Sequence, residues 1–123
     1  SLSDSRDIDL SNTVLTSSNF YNHSWVNQGS HFNSSTGRFT CPVAGVYRIY
    51  FRCSARNMNT NVRLQKNGTT VNEAYDDYAG DEQSVSSEAV VDCAANDYLQ
   101  IQVSRLKAIG GTQHKQVTFQ LIA

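Results

Sequence analysis

The densest run of chemically capable side chains is the acidic stretch Asp76-Asp77-Tyr78-Ala79-Gly80-Asp81-Glu82. Hard carboxylate oxygens crowded on one loop suit Ca²⁺, which accepts about six to eight oxygens at varied geometry. The carboxylates Asp76, Asp77, Asp81 and Glu82 are the candidate ligands, and calcium is the one cofactor expected. The plain alternative is a solvated acidic loop without EF-hand spacing. Polar residues placed on loops by the reading below, namely Arg56, Asn57, Asn59, Asp77, Tyr78, Arg105 and Lys107, are candidates for contact with a non-metal ligand. His23, His31 and His114 lie far apart, with no i, i+2 or i, i+4 grouping, so zinc is not expected. No Gly-x-Ser-x-Gly elbow exists, and Gly110-Gly111 is not a phosphate-cradling loop. With no catalytic set legible, a non-enzyme is expected. Cys41, Cys53 and Cys93 cannot all pair within one chain. Cys53 and Cys93 fall on the apolar parity of strand-like runs, where a thiol acts as a small buried hydrophobe.

The elements that would position these groups are organised around Phe32–Cys53. After Gly45, residues Tyr47, Ile49, Phe51 and Cys53 share one parity, while Val46, Arg48, Tyr50 and Arg52 share the other. A strand sends successive side chains to opposite faces, so this is a buried face backed by a wetter one. Asn33–Gly37 reads as a polar turn and Cys41–Gly45 as a second bend, with the single proline, Pro42, where a ladder donor is least missed.

The large apolar, Asn and Gly positions at Tyr21, Asn27, Phe32, Phe39, Gly45, Tyr47, Ile49 and Phe51 resemble the globular C1q-domain signature. Tyr21 and Ile49 stand where that family usually has Phe. The resemblance implies an all-β fold: a ten-stranded jelly-roll sandwich of two antiparallel sheets, of the C1q and tumour-necrosis-factor type, assembling as a homotrimer. It also implies core or subunit-contact roles for Tyr21, Trp25, Phe32, Phe39, Tyr47, Ile49, Phe51 and Phe119. Several such heads bind Ca²⁺ near the trimer apex; Asp76 matches the first of those positions and the second falls on Asp81 or Glu82, so the resemblance implies Asp76, Asp81 and Glu82 as the metal ligands. If the strand bearing Cys93 runs antiparallel beside the one starting at Gly45, as the resemblance suggests, Cys93 lies nearer Cys41 than Cys53.

Residues 1–18 read as a polar N-terminal segment with at most one short strand, at Ile8–Leu10 or Asn12–Leu15, and residues 19–123 as the globular head. The opening segment lacks the family's usual Ala-Phe-Ser-like first strand, and no Gly-X-Y repeat is present, so a head without a stalk is expected. Asn67-Gly68, set between alternating runs at Val62–Lys66 and Thr69–Tyr75, predicts a type I′ hairpin. Asp76–Ser84 reads as a charged loop and Ser86–Cys93 as a strand. Asn96-Asp97 occupies the place of the family's Gly-Asp turn. Leu99, Ile101 and Val103 alternate with Gln100 and Gln102, Arg105–Lys115 reads as a long loop, and Val117, Phe119 and Leu121 close the sandwich, with Leu121 near a position that is usually small. No segment carries helical periodicity.

A chain of 123 residues fits one domain. A net charge of −1 offers no basic excess for a phosphate backbone, so nucleic acid is not an expected partner. No run approaches the roughly 18 apolar residues of a membrane helix, and no membrane insertion is expected. Charged residues make up only 17% of the chain, and the surface this implies, rich in neutral hydrogen-bonding groups, fits an extracellular or virion protein. The expected function is a non-enzymatic, homotrimeric recognition head whose loops bind glycans, microbial surface polymers or a protein receptor. The rival is a structural virion module, a capsid decoration, spike or fibre tip.

Overall fold

The computed structural model describes residues 8–20, 25–27, 31–56, 60–76, 82–108 and 115–123. Its strands are β1 (Ile8–Val14), β2 (Trp25–Asn27), β3 (Phe32–Asn33), β4 (Arg38–Thr40), β5 (Gly45–Arg56), β6 (Thr60–Lys66), β7 (Thr69–Asp76), β8 (Glu82–Cys93), β9 (Tyr98–Ala108) and β10 (Lys115–Leu121). One layer is ordered β2-β10-β5-β8. In the other, β9 is flanked on one side by β1 and β4, with β3 beyond β4, and on the other by β6 and then β7. Among the described residues one ladder pair, Ala55 opposite Ala108, joins the layers into one curled sheet. Pairing is antiparallel except where the three residues of β2 lie parallel to β10.

Alternation in β5 sorts its side chains as the sequence predicts. Tyr47, Ile49, Phe51 and Cys53 are fully buried, and the residues between them are partly exposed. Phe39 of β4 meets Phe119 of β10 and Tyr47 of β5, with ring centroids 5.6 and 5.9 Å apart, so aromatic contacts tie the two layers together. Phe32 stacks on Phe119 at 5.3 Å, and Phe20 packs on Phe51 at 5.9 Å. The Tyr47 hydroxyl donates to the Val43 carbonyl at 2.6 Å, so its polar end is satisfied at the bend while the ring fills the core.

The turns follow their chemistry. Asn67 and Gly68 have φ of +52° and +82°, the left-handed pair a type I′ turn requires. Asn96 has φ of +75° and so takes the conformation that glycine would supply at this turn. Gly37 closes the Asn33–Gly37 turn at φ +74°, and a β-carbon there would stand 1.9 Å from the Leu15 carbonyl oxygen. Gly45 lets the chain's end approach: a β-carbon would lie 2.7 Å from the Ala123 oxygen and 2.8 Å from Leu121 Cδ1. With that space open, Leu121 stands opposite Tyr47 with its side chain half exposed, and Val46 N–H donates to the Ala123 oxygen at 2.8 Å.

Three predicted boundaries are corrected. β1 runs from Ile8 to Val14, so it takes in Ile8–Leu10 and most of Asn12–Leu15 but stops before Leu15. β8 begins at Glu82, because its ladder to β5 runs unbroken from Arg56 opposite Glu82 to Gly45 opposite Cys93. β9 continues to Ala108, so Arg105 and Lys107 are strand residues. The inward set changes parity here: Leu99, Ile101 and Val103 are buried, then Leu106 and Ala108. Between them the β6–β9 register slips by one residue at Ser104, a β-bulge. Asn12 of β1, across from Ser104, is left out of the ladder at φ +46°.

Candidate functional site

The register sends one set of strand ends to the same end of the sandwich. Arg56, the last residue of β5, stands opposite Glu82, the first of β8. Thr60, the first of β6, stands opposite Asp76, the last of β7. Ala108 ends β9 beside Ala55, and Lys115 starts β10 opposite Cys53. These six described strand ends therefore lie together at one end of the sandwich. Of the expected site residues, Asn57, Asn59, Asp77, Tyr78 and Asp81 lie outside the described residues, as does Tyr21 of the expected core. Trp25 is placed in β2 by its backbone.

Of the calcium candidates, Asp76 ends β7 and Glu82 begins β8, so both are strand termini flanking one connection instead of members of a nine-residue loop. Arg56 is likewise a strand terminus. Arg105 is exposed and stands between Ser11 of β1 and Asn61 of β6, while Lys107, partly exposed, faces Asp9. Among the described residues, no three His, Cys, Asp or Glu side chains converge as metal ligands.

Beside these ends the outer face of β6, β7 and β9 carries a polar ladder. Arg63 donates to Glu73 at 3.0 Å and to Gln102 at 3.1 Å, and Asn61 Nδ2 donates to the same Glu73 oxygen. The Asn61 and Arg63 hydrogen bonds hold the Glu73 carboxyl below its ordinary value, since both favour the ionised form. Asn61 Oδ1 is buried and has no hydrogen-bond partner among the described residues. Gln83 of β8 donates to buried Thr60 at 3.3 Å, which ties the two layers where they approach this end.

The edge strands β7 and β8 lie side by side without a ladder. Asn72 bridges them lower down by donating to the Glu88 carbonyl at 2.6 Å. Nearer the end described above they part around a cleft of about 180 Å³ lined by Ala74, Tyr75, Ser84, Val85 and Ser86. Tyr75 is 64% exposed, so a large aromatic stands at a cleft otherwise lined by hydroxyl and small apolar groups. The sequence reading placed Tyr75 in a hairpin and assigned it no role. The available signal was an aromatic next to the acidic stretch on the parity opposite Ala74, which is partly buried.

Comparisons with known proteins agree with this architecture. A family model of the C1q domain matches residues 5–120. The mouse protein Complement C1q and tumor necrosis factor-related protein 9 is 36% identical over 78 residues, which is 63% of this chain and 23% of that protein. Zebrafish Caprin-2 is 32% identical over 97 residues, 76% of this chain and 10% of that protein. The chain thus spans about a quarter or less of these curated relatives. Among solved structures, the globular domain of zebrafish complement 1qA protein superposes with a TM-score of 0.61 at 21% identity, covering 95% of both chains. Murine APRIL superposes at 0.64 with 10% identity, covering 94% of this chain and 98% of that one. At these identities the superpositions speak for the fold alone.

Proposed function

The chain belongs to the C1q-domain family, and from that premise we propose that it is a non-enzymatic recognition head that assembles as a homotrimer. It acts outside the cell and binds glycans, microbial surface polymers or a protein receptor. The observation that carries this reading is the gathering of the strand ends Arg56, Thr60, Asp76, Glu82, Ala108 and Lys115 at one end of the packed sandwich. Loops held by a packed scaffold are where binding residues concentrate, because they can vary without disturbing the core. Among the described residues no helix is long and apolar enough to cross a membrane.

In this reading Arg56, Asn57, Asn59, Asp77, Tyr78, Arg105 and Lys107 make the ligand contacts. Tyr75 joins them, since an exposed aromatic ring beside serine hydroxyls can stack on the apolar face of a sugar. Calcium held by Asp76, Asp81 and Glu82 belongs to the same proposal.

The test is light scattering combined with thermal unfolding, with and without chelator and with a panel of sugars. The reading expects a trimeric mass and a midpoint raised by calcium or by at least one sugar. A monomer indifferent to both would overturn it.

A further inference from the structure

We propose that Cys41 and Cys93 form a disulfide that staples the bend before β5 to the end of β8, leaving Cys53 as the free thiol. Backbone hydrogen bonds bring the two together. Cys41 N–H donates to the Asp97 carbonyl at 2.8 Å, and Asn96 N–H donates to the Cys41 carbonyl at 2.7 Å. Cys93 stands opposite Gly45, and the same hydrogen bonds tie Cys41 to the turn that directly follows Cys93. The Cys41 and Cys93 thiols are near enough for each to influence the other's protonation. Cys53 is no competitor, because it lies opposite Val85, eight residues further along β5 and about 26 Å from the Cys93 rung.

Both thiols are buried, Cys41 fully and Cys93 at 6% exposure. Burial raises both, Cys41 to about 12, so exchange in the closed fold is slow and the bond forms during folding or local opening. Cys93, at 6% exposure against 0% for Cys41, is the less buried of the two and attacks first. The oxidant is a low-molecular-weight disulfide of the glutathione class. Cys93 sulfur attacks one of its sulfur atoms, a mixed disulfide forms, and one small thiolate leaves. Cys41 sulfur then attacks the Cys93 sulfur, that bond breaks, and the second small thiolate leaves. One S–S bond is made and one reduced, and the two protons depart on the small thiols.

The experiment equilibrates the purified chain in a glutathione redox buffer, quenches with acid, and counts thiols in denaturant. The expected result is one reactive thiol per chain, a mass lower by two hydrogens, and a proteolytic peptide joining Cys41 to Cys93. The oxidised protein melts several degrees above the reduced one, and the difference vanishes in Cys41→Ser or Cys93→Ser but persists in Cys53→Ser. Should either variant fail to fold, peptide mapping of the unmutated chain decides. Three reactive thiols after equilibration, a linkage through Cys53, or equal melting of the oxidised and reduced forms would overturn the proposal.

Discussion

Phe119 of β10 stacks on Phe39 of β4, with centroids 5.6 Å apart and planes 10° from parallel, and this pair welds one sheet layer to the other. Phe119 also stacks on Phe32 and is 2% exposed, so three aromatic rings from three strands share one contact. Phe119→Ala opens a cavity between the layers and is expected to cost about 3–5 kcal/mol in urea unfolding. A loss below about 1 kcal/mol would mean that the ring is not held between two packed layers.

Gly37 and Gly68 both have positive φ, but only Gly37 is also crowded. A β-carbon at Gly37 would stand 1.9 Å from the Leu15 carbonyl oxygen, whereas at Gly68 its nearest neighbour is the Tyr98 hydroxyl at 3.5 Å. Gly68→Ala therefore carries only the left-handed strain of about 1–2 kcal/mol. Gly37→Ala adds a forced backbone shift and is expected to be clearly the more destabilising in parallel denaturant titrations. Equal losses would refute the close Gly37–Leu15 approach.

Asp97 gives the β8–β9 turn a pH dependence. Its carboxylate accepts from Asn67 Nδ2 at 2.9 Å and from Ala94 N–H at 2.8 Å, with Lys66 nearby at 3.7 Å. These contacts, the Asn67 hydrogen bond foremost, lower its pKa from 3.8. A depressed carboxyl stabilises the fold above its unfolded value and loses that contribution as pH falls through the folded one. The stability gap between wild type and Asp97→Asn should be full above pH 3.8 and close in more acid solution. A gap that persists in acid would assign the effect to geometry instead of charge.

Cys53 behaves in the opposite sense. Burial, outweighing the favourable influence of Lys115, pushes its thiol from 9.0 up to about 12. The folded state thus favours the neutral form, and this contribution is complete below pH 9.0 and lost as pH rises through about 12. Native-state alkylation at Cys53 should track unfolding, with a rate that denaturant raises steeply. Rapid labelling in native buffer would show that the β5 face is open.

Tyr75→Ala separates recognition from stability. The side chain is mostly exposed, so unfolding should shift by no more than about 0.5 kcal/mol. The midpoint rise produced by a bound sugar should shrink severalfold in this variant. An undiminished response would remove Tyr75 from the ligand surface.

Local chemistry was readable from the chain. The alternation of Tyr47, Ile49 and Phe51 set the buried face of β5, and Asn67-Gly68 fixed a hairpin turn because both residues accept positive φ. Asn96 disclosed the next turn for the same reason. The acidic stretch that motivates the calcium proposal was equally visible as a run of residue types.

What the residues could not disclose was where strands end, because a ladder is a property of two segments. Asp76, Glu82, Arg105 and Lys107 are polar enough to read as loop, yet each lies on a paired strand. The bulge at Ser104 reverses the parity of β9, so Leu106 and Ala108 drop out of the alternation that Leu99 begins while still pointing inward. The antiparallel neighbour on which the Cys41–Cys93 approach was conditional in the sequence is a matter of register, which places Cys93 opposite Gly45. Side-chain periodicity is written within a few residues of the chain, whereas partner and register depend on free energy summed over segments tens of residues apart, and tertiary packing alone decided them.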